Sequence, residues 1–342
     1  MIIYNHDLSR WSSTSRSKRG IIGVTGSHRA VSYTVDVEVG SPSTVYTLLV
    51  DTGSSNTWVG AMKQYVNTST SQKTPDDFVV TYGSGSVSGK EYIDQVSLGS
   101  LTIQKQSIGV ASQYKGFDVG TLKPDVQATV DTVVENGFNS GLIESDIFGI
   151  YIPHSDTPNP VTGGGISFGG ADNPKYTGEI TYVPITSTFP ASTYWGIDAT
   201  FAYGTTLLGN TAGIVDTGTT LLLLADDWLQ KILEATGATA DGPSGLLYVP
   251  SSTVLQDFTI TIGRQNFILT PQQYTVPPSY YSDIGIDSSP GNTNKYLWFH
   301  YMSSNFGQGL DFVLGLKFLE HYYSVYDIKN RQVGLATAYH IL

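Results

Sequence analysis

Alternation of apolar and polar residues sets in at Ser32. "SYTVDVEVGSP" followed by "VYTLLVDTG" predicts two strands joined by a Gly-Ser-Pro turn. Further on, "FVVTYGSGSVSGKEYIDQVSLGSLTI" predicts a hairpin whose glycine-rich tip lies at Gly83 to Gly85. Helical spacing is confined to short stretches. "TVDTVVENG" puts Val130, Val133 and Val134 on one face ahead of Gly137, and "DDWLQKILEATG" does the same with Trp228, Leu229, Ile232 and Leu233 ahead of Gly237. Asp226 stands where the second helix needs an N-cap, which is a structural role. Pro158, Pro160 and three glycines in "SDTPNPVTGGG" interrupt the pattern before strands resume at "GISFGG". From there the chain repeats its first half in outline and closes on "FVLGLKFLEHYYSVYDIKNRQVGLA". The pattern predicts an all-β protein with a leader over 1–30, a first β-rich lobe over 31–160 and a second over 161–342.

Composition narrows this picture. A chain of 342 residues with Gly 37, Tyr 22 and only 14% charged residues suits a turn-rich β protein of two ordinary domains. The absence of cysteine excludes disulfides and thiolate chemistry. No apolar run is long enough to predict a membrane-spanning helix. A net charge of −11 argues against nucleic acid or anionic membrane as a partner. The charge is uneven. Arg10, Arg16, Lys18, Arg19 and Arg29 against Asp7 make residues 1–29 net +4, leaving −15 for the rest. The start, "MIIYNHDLSR", lacks the apolar core of a secretory signal, so none is expected within this chain.

The candidate chemistry lies in a repeat. "VDTGSS" at Val50 to Ser55 recurs as "VDTGTT" at Val215 to Thr220, which places Asp51 and Asp216 165 residues apart, each after an apolar run. A single Asp-Thr-Gly is an ordinary turn; two with matching flanks predict two carboxylates delivered to one site. At about 4 Å and an effective dielectric of about 20 their repulsion is about 4 kcal/mol, so the pair keeps one proton over a wide acidic range. One carboxylate can then deprotonate a water while the other protonates a carbonyl oxygen.

On "LLVDTGSSNTWVG", "VTYGSGSVSG", "SIGVAS", "GIVDTGTT" and "YYSVYD…VGLA", the chain resembles the pepsin-like aspartic endopeptidases, in particular their cysteine-free fungal members, from about Val31 to the C-terminus. The resemblance implies a bilobal pepsin-like acid protease fold with the cleft between lobes, and Asp51 and Asp216 as the catalytic pair. It implies substrate-binding roles for Gly53, Tyr82, Gly83, Ser84, Gly218 and Thr219, with Tyr82 on a covering hairpin, and support from Ser54, Trp58 and Thr217. It further implies polypeptide substrates, inhibition by pepstatin-like compounds, no metal or cofactor, a monomer, and an extracellular or vacuolar setting. Read on the residues alone, Tyr82 beside a glycine-rich tip is either a mobile lid or one tyrosine among 22 on an ordinary strand.

The chain departs from the family pattern in the first lobe. Members carry a strand of two apolar residues and a glycine beneath the first catalytic turn, whereas here "GFD" at Gly116 to Asp118 runs straight into "VGTLKPD". The strand is expected to be absent, Ile147 to Gly149 being a later strand, and Asp51 is expected to be less firmly held than Asp216. The second lobe keeps the counterpart at Val313, Leu314 and Gly315, with Leu316 where many members have aspartate. A pepsin-fold peptide-binding protein with impaired or no catalysis is the alternative that this deletion raises; a carbohydrate-binding protein rests only on the tyrosine content. The basic leader reads either as the end of an inhibitory prosegment cleaved after Arg19 or as a tail. "GSGSVSGKE" fits no phosphate-binding loop, and there is neither a G-x-S-x-G elbow nor an H-E-x-x-H helix.

Overall fold

The computed structural model describes residues 20–29, 31–53, 57–61, 63–81, 85–116, 120–121 and 131–339. Among these, one sheet of thirteen strands runs through both halves of the chain. Its spine begins with Tyr176–Pro184, Gln332–Ala338, Tyr322–Asp327, Ile147–Tyr151 and Val161–Phe168, and continues through Ile22–Arg29, Ser32–Val39, Ser86–Leu98 and Leu101–Lys115 to Thr57–Val59. A seven-stranded sheet carries the second aspartate, with Phe312–Leu314 between Thr206–Val215 and Leu222–Leu224. The alternating stretches form the expected elements. Ser32–Val39 pairs antiparallel with Thr44–Leu49, Val39 opposite Thr44, and Val35, Val37 and Val39 face the core. The hairpin pairs Thr81 with Ser86, and of the tip expected at Gly83 to Gly85, residues 83 and 84 lie outside the described residues.

Both helices form, with corrections at their starts. Thr132 caps Val133–Asn139 and forms a reciprocal capping box with Glu135. Val130 lies outside the described residues, so the buried face is Val133, Val134 and Gly137. The other helix, Asp226–Thr236, buries Trp228, Leu229 and Ile232 and ends on Gly237 at φ 71°, a conformation that glycine adopts without a Cβ penalty. Its N-cap is Ala225, so Asp226 is already helical. The Asp226 carboxylate instead accepts from the Ser303 backbone N–H at 2.9 Å.

Two further findings differ from the sequence reading. Ile22–Arg29, assigned to the leader, is a strand between Val161–Phe168 and Ser32–Val39. It alternates in its own way, Ile22, Val24, Gly26 and His28 being buried. Glycine at 26 is required because a Cβ there would lie 2.1 Å from the Tyr33 hydroxyl. The second difference concerns the strand expected to be absent. Its ladder position is taken by Gly120–Thr121, which runs parallel to Thr44–Leu49 with Leu48 opposite Gly120 and Leu49 opposite Thr121. A ladder uses backbone groups, so Gly-Thr can hold the place without supplying the apolar side chains.

A buried polar cluster joins segments that are far apart in the sequence. Glu320, 1% exposed, follows the helix Leu316–Leu319 and accepts from Lys317 Nζ at 2.5 Å. It also faces His28 Nε2 at 3.2 Å and His154 Nδ1 at 3.0 Å. The Lys317 ammonium lies 4.8 Å from the Trp298 ring centroid and 5.2 Å from that of Tyr280, where the aromatic faces favour a cation.

Candidate active site

Each aspartate stands at the end of a strand pinned by a neighbour. The Val50 N–H donates to Tyr33 O at 2.9 Å, Val215 N–H to Trp195 O at 3.1 Å and Asp216 N–H to Leu314 O at 3.1 Å. Beyond these points the two Asp-Thr-Gly turns meet. Thr52 N–H donates to Thr217 Oγ1 and Thr217 N–H to Thr52 Oγ1, both at 3.0 Å. The hydroxyls in turn donate across to the opposite strand, Thr217 to Val50 O at 2.8 Å and Thr52 to Val215 O at 3.2 Å. Both threonines are buried, so these four bonds satisfy groups that water cannot reach and lock the turns in one relative position.

This lock brings the carboxylates together. The Gly53 N–H lies 3.0 Å from Asp51 Oδ1 and 2.9 Å from Asp216 Oδ1, so the two oxygens are separated by no more than those distances combined. Asp216 also accepts from Gly218 N–H at 2.9 Å and from the Thr219 hydroxyl at 2.7 Å. The glycines are required by the approach itself: a Cβ on Gly218 would lie 2.4 Å from Asp51 Oδ1, and one on Gly53 would lie 2.8 Å from Asp216 Oδ1. Two carboxylates on one donor, in turns fixed by neutral hydrogen bonds, form a site for moving protons to and from one small substrate group.

A profile of the eukaryotic aspartyl proteases matches residues 32–338. The chain belongs to the eukaryotic aspartyl proteases. It is 49% identical to polyporopepsin of Irpex lacteus over 332 residues, 92% of this chain and 96% of that one. It is 31% identical to gastricsin of Homo sapiens, covering 90% and 81%, and 32% identical to cathepsin D of Dictyostelium discoideum, covering 88% and 82%. The crystal structure of the aspartic proteinase from Irpex lacteus superposes with a TM-score of 0.88 at 47% identity, covering 93% of this chain and 97% of that one. The bilobal pepsin-like fold and the aspartic endopeptidase class follow.

Within this aspartyl protease, Gly53, Thr217, Gly218 and Thr219 all surround the two aspartates. Ser54, Tyr82, Gly83 and Ser84 lie outside the described residues. Trp58 is fully buried on Thr57–Val59 and packs with Phe78, Val80 and Val87 at the base of the hairpin. The sequence reading included Thr217 and omitted Thr52, although the repeat itself was the pointer: the same threonine follows aspartate in both copies. A possible cation site elsewhere comprises His154, Glu320 and His321, whose ligand atoms lie within 4.8 Å of one another. Lys317 already pairs with this glutamate, and a metal ion would have to enter against its charge.

Proposed function

We propose that Asp51 and Asp216 are the catalytic pair of an endopeptidase that cleaves polypeptides at acidic pH, sharing one proton as is established for aspartic proteases generally. The observation that supports this is the single Gly53 N–H facing both carboxylates. The ionised carboxylate takes a proton from water as the water oxygen bonds to the peptide carbonyl carbon. The protonated carboxyl gives its proton to the carbonyl oxygen. Collapse of the tetrahedral adduct breaks the C–N bond as the carboxyl that took the water's proton gives it to nitrogen and the other carboxylate takes a proton from a hydroxyl of the adduct, yielding a new carboxyl and a new amine and restoring the pair. Gly53, Gly218 and Thr219, with Tyr82, Gly83 and Ser84 of the hairpin, hold the peptide backbone, while Ser54, Trp58 and Thr217 support them. The working form is a monomer, acting outside the cell or in a vacuole, without metal or cofactor.

Digestion of an acid-unfolded protein across pH 2 to 7, with and without pepstatin, tests the reading. Activity confined to acid, stopped by pepstatin and reduced at least ~10³-fold in folded Asp51→Asn and Asp216→Asn variants is the expected result. Folded wild-type protein with no activity, or with activity that pepstatin leaves untouched, overturns it.

A further inference from the structure

The loop that leads into the strand Gln72–Thr81 is held by its own polar side chains. Asp94, fully buried, accepts from the Tyr65 hydroxyl at 2.5 Å, the Thr70 hydroxyl at 2.5 Å and the Ser71 hydroxyl at 2.8 Å. The Ser41 N–H donates to Thr68 Oγ1 at 3.0 Å, and the Ser69 hydroxyl donates back to Ser41 O at 2.9 Å. From Tyr65 to Ser71, Asn67 is the exception. It is exposed, and its carboxamide takes part in no hydrogen bond among the described residues. Asn67-Thr68-Ser69 is also the one N-x-[ST] triplet in the whole sequence, with no proline at its middle position. A loop that engages each of its other polar side chains and leaves this amide in solvent presents an acceptor.

We propose that Asn67 is a site of N-linked glycosylation, its donor an oligosaccharide carried on a lipid pyrophosphate. Asn67 Nδ2 bonds to C1 of the first sugar and loses a proton, while the C1–O bond to the pyrophosphate breaks and the lipid pyrophosphate leaves. The triplet needs its third-position hydroxyl free, and Ser41 O engages it in the folded chain, so transfer precedes closure of this loop. The proposal rests on the extracellular or vacuolar setting proposed above. Ser41 lies in the turn of the hairpin Ser32–Val39 and Thr44–Leu49, at the end away from Asp51. The span from Thr44 to Leu49 is about 17 Å at the usual rise of a strand, so a glycan on this loop leaves the cleft clear.

The whole chain, secreted by a eukaryotic host behind a cleavable signal, tests the proposal. Peptide N-glycosidase is expected to remove a carbohydrate mass and to convert Asn67 to aspartate. Asn67→Gln and Ser69→Ala are expected to lack that mass before treatment, and Ser69→Thr to keep it. Proteolysis by Asn67→Gln is expected to match that of the wild type. Secreted protein with Asn67 unmodified, or enzyme-released carbohydrate that persists in Asn67→Gln, overturns the proposal. In the cells that make it naturally, the protein is expected in the medium or the vacuole with the same modification. Unmodified protein there overturns the proposal alone, whereas protein confined to the cytosol overturns the setting and the proposal with it. Lack of pepstatin-sensitive proteolysis would instead count against the reading of the active site, and the mass of the Asn67 peptide would still decide the glycan.

Discussion

Replacing Lys317 by methionine is the most informative perturbation of the fold. The side chain is 2% exposed, and its ammonium lies against a glutamate that is 1% exposed. Burial alone would push the Glu320 carboxyl up, but Lys317, followed by His154 and His28, outweighs it and holds the group well below the usual carboxylate range. For His154, burial alone would lower the imidazole, yet Glu320 and then Asp156 hold it above its ordinary value. The signs follow. The stability that the depressed Glu320 contributes is present above its unfolded value of about 4.3 and is lost as pH falls through the folded one. The His154 contribution is complete below about 6.5 and is lost as pH rises through the raised value. Both are therefore in place together between about pH 4.5 and 6.5. Removing one partner of a buried ion pair costs about 3–5 kcal/mol, and methionine preserves most of the packed volume, so the loss is expected in that range at pH 5.5. At pH 3 the loss should shrink, because the carboxyl left behind in the variant then takes up a proton. Urea unfolding followed by tryptophan fluorescence at the two pH values measures both quantities. Lys317→Met with Glu320→Leu, which removes both charges, should be more stable than Lys317→Met alone. A single-variant loss under about 1 kcal/mol at pH 5.5, or one that does not diminish in acid, refutes the reasoning.

Three further outcomes are expected. Burial, followed by the charges of Glu135, Asp327 and Asp131, pushes the Asp146 carboxyl up to about 7, so stability should fall as pH climbs from about 4 to 7 and then level off. Asp146→Asn should flatten that decline in a series of melting temperatures from pH 4 to 8, and parallel profiles would contradict it. Thr217→Val leaves the Thr52 N–H and the Val50 carbonyl without their partner, at about 1–3 kcal/mol each, and should cut kcat about 10- to 100-fold with little change in KM. Gly218→Ala pushes a methyl group against Asp51 and should reduce kcat at least ~100-fold in a protein that still folds; an active variant would show that the carboxylates tolerate separation.

The parts legible in the sequence were those whose physics is local. The alternation at Ser32–Val39 and Thr44–Leu49, the apolar face of Asp226–Thr236 and the glycine at 237 each follow from a few neighbouring residues. The repeated Asp-Thr-Gly was legible because both halves of the site carry it. Ile22–Arg29 was obscured because its inward positions after Val24 are glycine and histidine, each justified only by a distant partner, Tyr33 or Glu320. The cluster around Glu320 draws on residues 28, 154 and 317, and no window of sequence contains them all. Gly120–Thr121 gave no pattern because two residues define no period, and its partner strand supplies the geometry.

The thirteen-stranded sheet also has a consequence for how the protein is made. Ile147–Tyr151, in the first half, has as one neighbour Tyr322–Asp327, which is synthesised almost last, with Val325 opposite Gly149. While the second half is still being translated, that edge has no partner, and an open edge is a template for pairing with other chains. The first lobe therefore cannot finish before the C-terminus emerges from the ribosome. A chain stopped short of residue 320 should accumulate as aggregate, not as a folded half-protein.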